Sequence, residues 1–401
     1  MLEELIENLT LAESSRVYLD HASITPPRMV VRNNLKDFLD GSFASDPSRI
    51  YTSAIATRDL IEYCRSLVSQ FFGTTTRQIV FTSSASEAIN HAVFDSMLRL
   101  KQQSAILVSK TEHSAVKRAC LNYGKVFNHE VTEISVDAYG AVDLNFFKDL
   151  LERFKTRNIP VGLVAVQYSN HEIGTIQPIK EVSDLCNLYG VPLLIDLACT
   201  ISNTPLDLTE VNYTYLALNG YKLGAMVGSG ALIVKKNHVL KPLIYGANQE
   251  LARRSGMENL LSISSLATVL DELSDQDFLE DELNRKSTYI SKTVEAIKEI
   301  DGIEFYGSPV NRLENLTSFS ISGIQASALT LQLDQFGVAV HSGSACSNEV
   351  VEPSYILEAI GKPDISPIRV SVGWNTTQKD IEIFLKQLNR SIEVLKKYGA
   401  K

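Results

Sequence analysis

Between about residues 16 and 235 the chain alternates short apolar runs with stretches of helical spacing. The runs IVFTS (79–83), AILVS (105–109), PVGLVAVQYS (160–169), PLLID (192–196), TYLAL (214–218) and GALIV (230–234) read as strands. Several lack polar alternation, as strands buried on both faces do. Between them, SEAINHAVFDSMLRL (86–100) and IKEVSDLCNLYG (179–190) repeat apolar residues at the helical period, and Gly190 is a stop signal for the second. Such alternation predicts an α/β region with a mainly parallel sheet. After Gly256 the texture changes. Residues 258–300 carry one or two long helical patterns, and 316–321, 337–341 and 368–372 read as strands among helices. The chain then runs into the amphipathic segment 377–396. At the other end, Leu2, Leu5, Ile6 and Leu9 share one face of a short amphipathic helix.

A chain of 401 residues exceeds the usual size of one domain, so the change of texture is taken as a boundary. The expected division is a large α/β domain over 16–257 and a smaller α+β domain built from 1–15 and 258–401. An apolar share of 44% and a charged share of 21% are ordinary for a soluble globular protein. No apolar run reaches the length of a membrane span, and the acidic first residues lack the basic start of a secretory signal. The net charge of −9, without a cluster of Lys and Arg, argues against a nucleic-acid surface. The five cysteines show no CxxC pair, and reduced thiols in the cytoplasm are the expectation. Cys64, Cys120 and Cys186 sit in helical stretches beside apolar residues and read as small core residues. Cys346 lies instead in a small, polar, glycine-containing segment.

Chemistry gathers at predicted strand ends, where sites of open α/β sheets lie. Asp196 closes PLLID, and Lys222 follows TYLALNGY before a glycine-rich turn. SSASE (83–87) follows IVF and opens a helix, so that Ala85 and Ser86 stand where an anion binds. A lysine, a carboxylate and a phosphate cradle on one sheet edge meet the needs of a pyridoxal 5'-phosphate site.

At these residues the chain resembles the class V aminotransferase-fold enzymes, and among them the cysteine desulfurases. The likeness starts at YLDHASITPP (18–27) and continues through DPSRIY (46–51), FTSSASEAIN (81–90), TEHSAV (111–116), NHEIGTIQPI (170–179) and RRSGMEN (253–259). SGSACSNEVVEPSYILEAIG (342–361) is its longest and most specific match, and it is similar to the subgroup with a long loop around the cysteine. The resemblance implies a fold-type I architecture and a homodimer in which the segment around Met257 faces the partner's phosphate. It implies that Lys222 carries the cofactor as a Schiff base and moves the Cα proton. It further implies that Asp196 pairs with the pyridine nitrogen and that His113 stacks on the ring and shuttles protons. Arg369 would grip the substrate carboxylate, and Cys346 would accept sulfur from L-cysteine before passing it to an acceptor protein.

The chain departs from the family's pattern inside the cofactor pocket. The usual SxHK is Asn219-Gly220-Tyr221-Lys222, so Asn219 and Tyr221 stand where Ser and His bind phosphate. His171 and Cys199 replace the Asn and Gln that approach the ring hydroxyl, and Met257 replaces a phosphate-binding Thr. Three functions stand at this point. The first is a cysteine desulfurase serving iron–sulfur cluster assembly or thiolation. The second is a pyridoxal-phosphate lyase acting on cystine, selenocysteine or a related thiol amino acid. The third is a degenerate sulfurtransferase scaffold.

Overall fold

A computed structural model describes residues 16–40, 45–100, 102–342 and 354–398. The predicted helix over residues 1–14 and Cys346 lie outside the described residues. In chain order the first half contains β1 (Val17–Tyr18), α1 (Met29–Asp40), α2 (Thr52–Phe71), β2 (Ile79–Thr82), α3 (Ala85–Leu98), β3 (Ala105–Ser109), α4 (Ser114–Phe127) and β4 (Glu130–Ile134). It continues with α5 (Leu144–Thr156), β5 (Val161–Gln167), α6 (Ile179–Tyr189), β6 (Leu193–Asp196), β7 (Tyr215–Asn219) and β8 (Gly230–Val234). The second half holds α7 (Leu260–Glu272), α8 (Gln276–Ile297), β9 (Ile303–Tyr306), β10 (Leu316–Ile321), α9 (Ala326–Gln335), β11 (Val338–Ala339) and β12 (His341–Ser342). It closes with α10 (Tyr355–Ala359), β13 (Ile368–Ser371) and α11 (Gln378–Tyr398).

Among the described residues, seven strands form one sheet in the order β2-β8-β7-β6-β5-β3-β4. It is mainly parallel: β8 alone runs antiparallel to its neighbours, β2 and β7. The continuous apolar runs explain its centre, because β2, β3, β6, β7 and β8 are buried at every residue. One face packs on Phe147, Leu150 and Phe154 of α5, and the other on Ile89, Val93 and Met97 of α3. Each such side chain contributes about 1.5–3 kcal/mol on leaving water. A second sheet, β12-β13-β10-β9, buries Phe319 and Val370 against Phe384 and Leu388 of α11.

Several local expectations match. Gly190 ends α6 in a left-handed conformation, φ 66°, which glycine adopts without the Cβ penalty. The pattern over 258–300 resolves into two helices, and Asp275 caps the second by accepting from the Phe278 N–H. Two differences have physical causes. The stretch 337–341 is not one strand: β11 pairs with β1 and β12 with β13, so the chain changes sheets at Val340. Strands β4 and β9, not foreseen, are sheet edges whose half-exposed side chains give no continuous apolar run. No helix among the described residues is long and apolar enough to cross a membrane.

Candidate functional site

Strands β7, β6, β5 and β3 are consecutive neighbours running in one direction, so the loops after them meet on one edge of the sheet. Lys222 follows β7, Asp196 ends β6, His171 follows β5 and His113 follows β3. The opening of α3, after β2, reaches the same edge. A cleft results there. Ala85, Ser86, His113, His171, Asp196, Cys199, Asn219, Tyr221 and Lys222 all line it. Sequence reasoning did not name Gln167, Ser169, Ile89, Ala115 or Ala198, which complete the wall. Their only signal is adjacency to strand ends and to named residues.

The α3 opening depends on a glycine. A Cβ on Gly230 would lie 2.7 Å from the Ser84 carbonyl carbon, so only glycine lets β8 pass the turn. Ser84 then caps α3 by accepting from the Glu87 N–H at 3.3 Å. Glu87 in turn accepts from Ser83 and pairs with Arg254, which ties the turn to the 253–256 segment.

Lys222 Nζ lies 3.1 Å from Cys199 Sγ. Burial opposes its charge, but the Cys199 sulfur and the Tyr221 hydroxyl outweigh burial and hold the amine above its ordinary value, against the pull of Arg369. Asp196 is buried, and burial raises its carboxyl despite an acceptor bond from the Ala198 N–H at 2.8 Å and the nearby charge of Lys222. Behind it, burial pushes the Glu112 carboxyl well above its usual range, with Asp196 adding to the push. One Glu112 oxygen takes the Gln167 N–H at 2.7 Å, and the other has no partner.

His113 is the N-cap of α4. Its Nδ1 accepts from the Ala115 N–H at 3.1 Å, which puts the proton of the neutral ring on Nε2. Burial, and then Lys222, lower its pKa to about 4, so the ring is neutral at physiological pH. The His171 ring meets it edge to face, centroids 4.9 Å apart. Burial first, then the neighbouring His113, Lys222, Arg369 and His341, drive His171 well below the ordinary imidazole value. His171 Nδ1 and Asn219 Oδ1 are buried without partners. Each such atom costs about 1–3 kcal/mol, a cost that a ligand would relieve.

Two expected participants stand apart. Arg369, on β13, is not in the cleft wall but one residue behind it, its Nη1 2.7 Å from the His171 carbonyl oxygen. Its Nη2 lies 2.6 Å from Asp20 Oδ1 and 2.6 Å from Ser23 Oγ. Met257 is exposed and lines a separate depression with Leu39 and Tyr51. Asp20, absent from the sequence-based site, lies in the YLDHAS segment, where nothing local announces a partner near the far end of the chain.

A family model described as aminotransferase class-V matches residues 17–384. A cysteine desulfurase IscS from Dictyoglomus turgidum is 32% identical over 385 residues, covering 95% of each chain. A cysteine desulfurase IscS from Methanosarcina thermophila is 29% identical over 396 residues, covering 97% of this chain and 95% of its own. The solved structure of a NifS-like protein superposes with a TM-score of 0.85 at 24% identity, covering 95% of this chain and 100% of the other. A NifS-like protein from Rickettsia africae gives 0.83 at 24% identity, covering 94% and 99%. The two structures show the fold, and the curated relatives show the lineage.

Proposed function

The chain belongs to the class V aminotransferase family and to its cysteine desulfurase branch, and from that premise we propose that it takes sulfur from L-cysteine as a persulfide and releases alanine. The observation that carries this reading is the convergence of Lys222, Asp196 and His113 on one cleft.

The cleft suits pyridoxal 5'-phosphate by the chemistry of its donors. It offers an amine, a buried carboxylate, a helix opening, and two buried atoms without partners, Asn219 Oδ1 and His171 Nδ1. Lys222 would hold the cofactor through its amine and Asp196 would face the pyridine nitrogen. Ala85 and Ser86, with Asn219 and Tyr221, would take the phosphate, and His171 and Cys199 the ring hydroxyl. Bound there, the cofactor supplies an electron sink for bonds at the amino-acid Cα.

The chain's own groups do the rest. Lys222 Nζ moves the Cα proton, which requires the neutral amine; the Cys199 sulfur favours the charged form and Arg369 the neutral one. His113 presents Nε2–H and is therefore a proton donor to the cleft, since its Nδ1 is committed to Ala115. Arg369 holds the substrate carboxylate with its planar fork. The Cys346 thiolate attacks the substrate sulfur: the C–S bond breaks, an S–S bond forms, and the carbon skeleton leaves as alanine.

The reading extends to a cytoplasmic homodimer that hands sulfur to an acceptor protein for iron–sulfur cluster assembly or thiolation. The exposed apolar side chains of Leu39, Tyr51 and Met257 support the dimer. We divide the chain into a large domain, 16–257, and a small one formed by 1–15 and 258–401. A lyase acting on cystine, selenocysteine or a related thiol amino acid is the second reading, favoured by the Cys199 thiol against Lys222. Incubation with L-cysteine separates the two: alanine with protein-bound persulfide supports the desulfurase, and pyruvate with ammonia overturns it.

A further inference from the structure

Both terminal nitrogens of Arg369 are engaged by the protein, although the residue is assigned to a ligand. Its side chain is 3% exposed, and the partners are Asp20 Oδ1, Ser23 Oγ and the His171 carbonyl oxygen. Its Nε is buried and has none. Asp20 is held in place as firmly. It bridges to Ser371 across the sheet, and Ser23 Oγ donates to its Oδ1 at 2.9 Å.

Other ionisable groups near the guanidinium do not replace this pairing. His341 lies directly opposite Arg369 in the β12–β13 register, and His171 faces it from the β5 loop; burial holds both rings below their ordinary values. Lys222 adds positive charge. Glu172 is buried, and burial raises its carboxyl to about 7, so it is only partly ionised near neutrality. Asp20 is the carboxylate in direct contact with Arg369, on Nη2 alone, and that nitrogen can donate to another carboxylate as readily.

We propose that Asp20 stands in for the substrate carboxylate: it occupies Arg369 at rest, an amino-acid substrate must displace it, and Asp20 thereby sets the affinity of the site for carboxylates. The inference rests on the reading of Arg369 as the substrate anchor. Breaking a buried pair leaves an uncompensated charge, which any carboxylate that reaches it then satisfies. Asp20→Asn keeps the size and an acceptor oxygen for Nη2, and removes only the charge that competes.

The test uses the full chain in a carboxylate-free buffer and compares melting temperature with sodium acetate against sodium chloride at equal ionic strength. Acetate should stabilise the Asp20→Asn variant and leave the parent unchanged, as expected of a ligand that binds only the folded state of one of them. KM for L-cysteine should fall about tenfold in the same variant, the mark of a lost competitor. Ser23→Ala, which loosens Asp20 while keeping its charge, should shift both readouts the same way but less, and it serves if Asp20→Asn does not fold. An Asp20→Asn protein blind to acetate, or one whose KM rises, overturns the inference, because Asp20 would then support Arg369 rather than compete for it. The acetate measurement needs no turnover. If acetate binds as expected while neither protein makes alanine, the inference stands and the desulfurase reading falls.

Discussion

Strand β7 carries a buried polar cluster at each end, and the two are built on opposite terms. At its start, Tyr215 joins Asp95, which also takes His238 Nε2 at 2.7 Å, Arg99 at 2.8 and 2.9 Å, and the Lys241 N–H at 2.7 Å. Burial alone would raise this carboxyl, but His238, Arg99 and Tyr215 overcome it and hold Asp95 far below its ordinary value. At the other end, Asn219 opens on a cleft where Asp196 is raised and His171, Glu112 and Asn219 each leave a polar atom without a partner. A satisfied network stabilises and locks; an unsatisfied one costs stability and awaits a ligand. One strand thus separates a structural carboxylate, on α3, from a functional one, at the end of β6, although both are buried.

Substitution should expose that difference. The largest expected effect is at the cleft: Lys222→Ala should lower alanine production by about 10²–10⁴-fold, the usual share of a positioned proton-transfer group. Borohydride reduction of the parent followed by peptide mapping should place the pyridoxyl label on Lys222. A label on another lysine would break the assignment, whereas the melting temperature of the variant should change little.

Next comes the opposite end of β7, where the effect should fall on stability and spare the chemistry. Asp95→Asn removes the carboxylate that His238, Arg99 and Tyr215 share and should cost about 1–3 kcal/mol in urea unfolding, since the Arg99 charge left behind is part-exposed. Because folding lowers the Asp95 pKa, its contribution is present above the ordinary value near pH 4 and fades as pH falls below it. Parent and variant should therefore converge in acid. Activity per folded molecule should stay at the parent's level, and a large loss would mean that the two ends of β7 communicate.

Gly230→Ala probes the join between fold and site. The added Cβ would meet the Ser84 backbone at 2.7–2.8 Å, and the overpacking should cost about 1–3 kcal/mol. Since Ser84 caps the helix whose opening serves the phosphate, cofactor retention through dialysis should fall with stability. Retention at the parent's level would show that the turn has room to shift.

The contrast between the two ends was only partly legible in the chain. Strands β2, β3, β6, β7 and β8 announce themselves because both faces are buried, and their order alone predicts that Asp196, Lys222 and the 83–87 turn share an edge. Edge strands β4 and β9, half in solvent, carry no such run. The Asp95 cluster was invisible, since its partners come from α3, β7 and the 235–241 loop and only folding brings them together. The Asp20–Arg369 pair joins residues 349 positions apart and was hidden for the same reason. An isolated charge in a sequence does not reveal whether it will be shared, and that property separates the ends of β7.

The smallest expected effect is also the most telling. Folding raises the Asp196 pKa, burial being the main cause, so its ionised form opposes the folded state as pH rises above the ordinary carboxyl value. Asp196→Asn is nearly isosteric, keeps an acceptor for the Ala198 N–H, and removes that burden. In protein dialysed free of cofactor the variant should gain about 0.5–2 kcal/mol at neutral pH, the scale of stability gained by relaxing a site held for function. The gain should vanish below pH ~4, where the parent carboxyl is protonated as well. Saturating pyridoxal 5'-phosphate should close or reverse the gap, because only the parent supplies a negative partner for the pyridine nitrogen, and a ligand stabilises most the fold it binds best. Differential scanning calorimetry of both proteins, with and without the cofactor, reads all four states. If Asp196→Asn melts below the parent at neutral pH without cofactor, then Asp196 is a structural carboxylate like Asp95, and the contrast between the two ends of β7 fails.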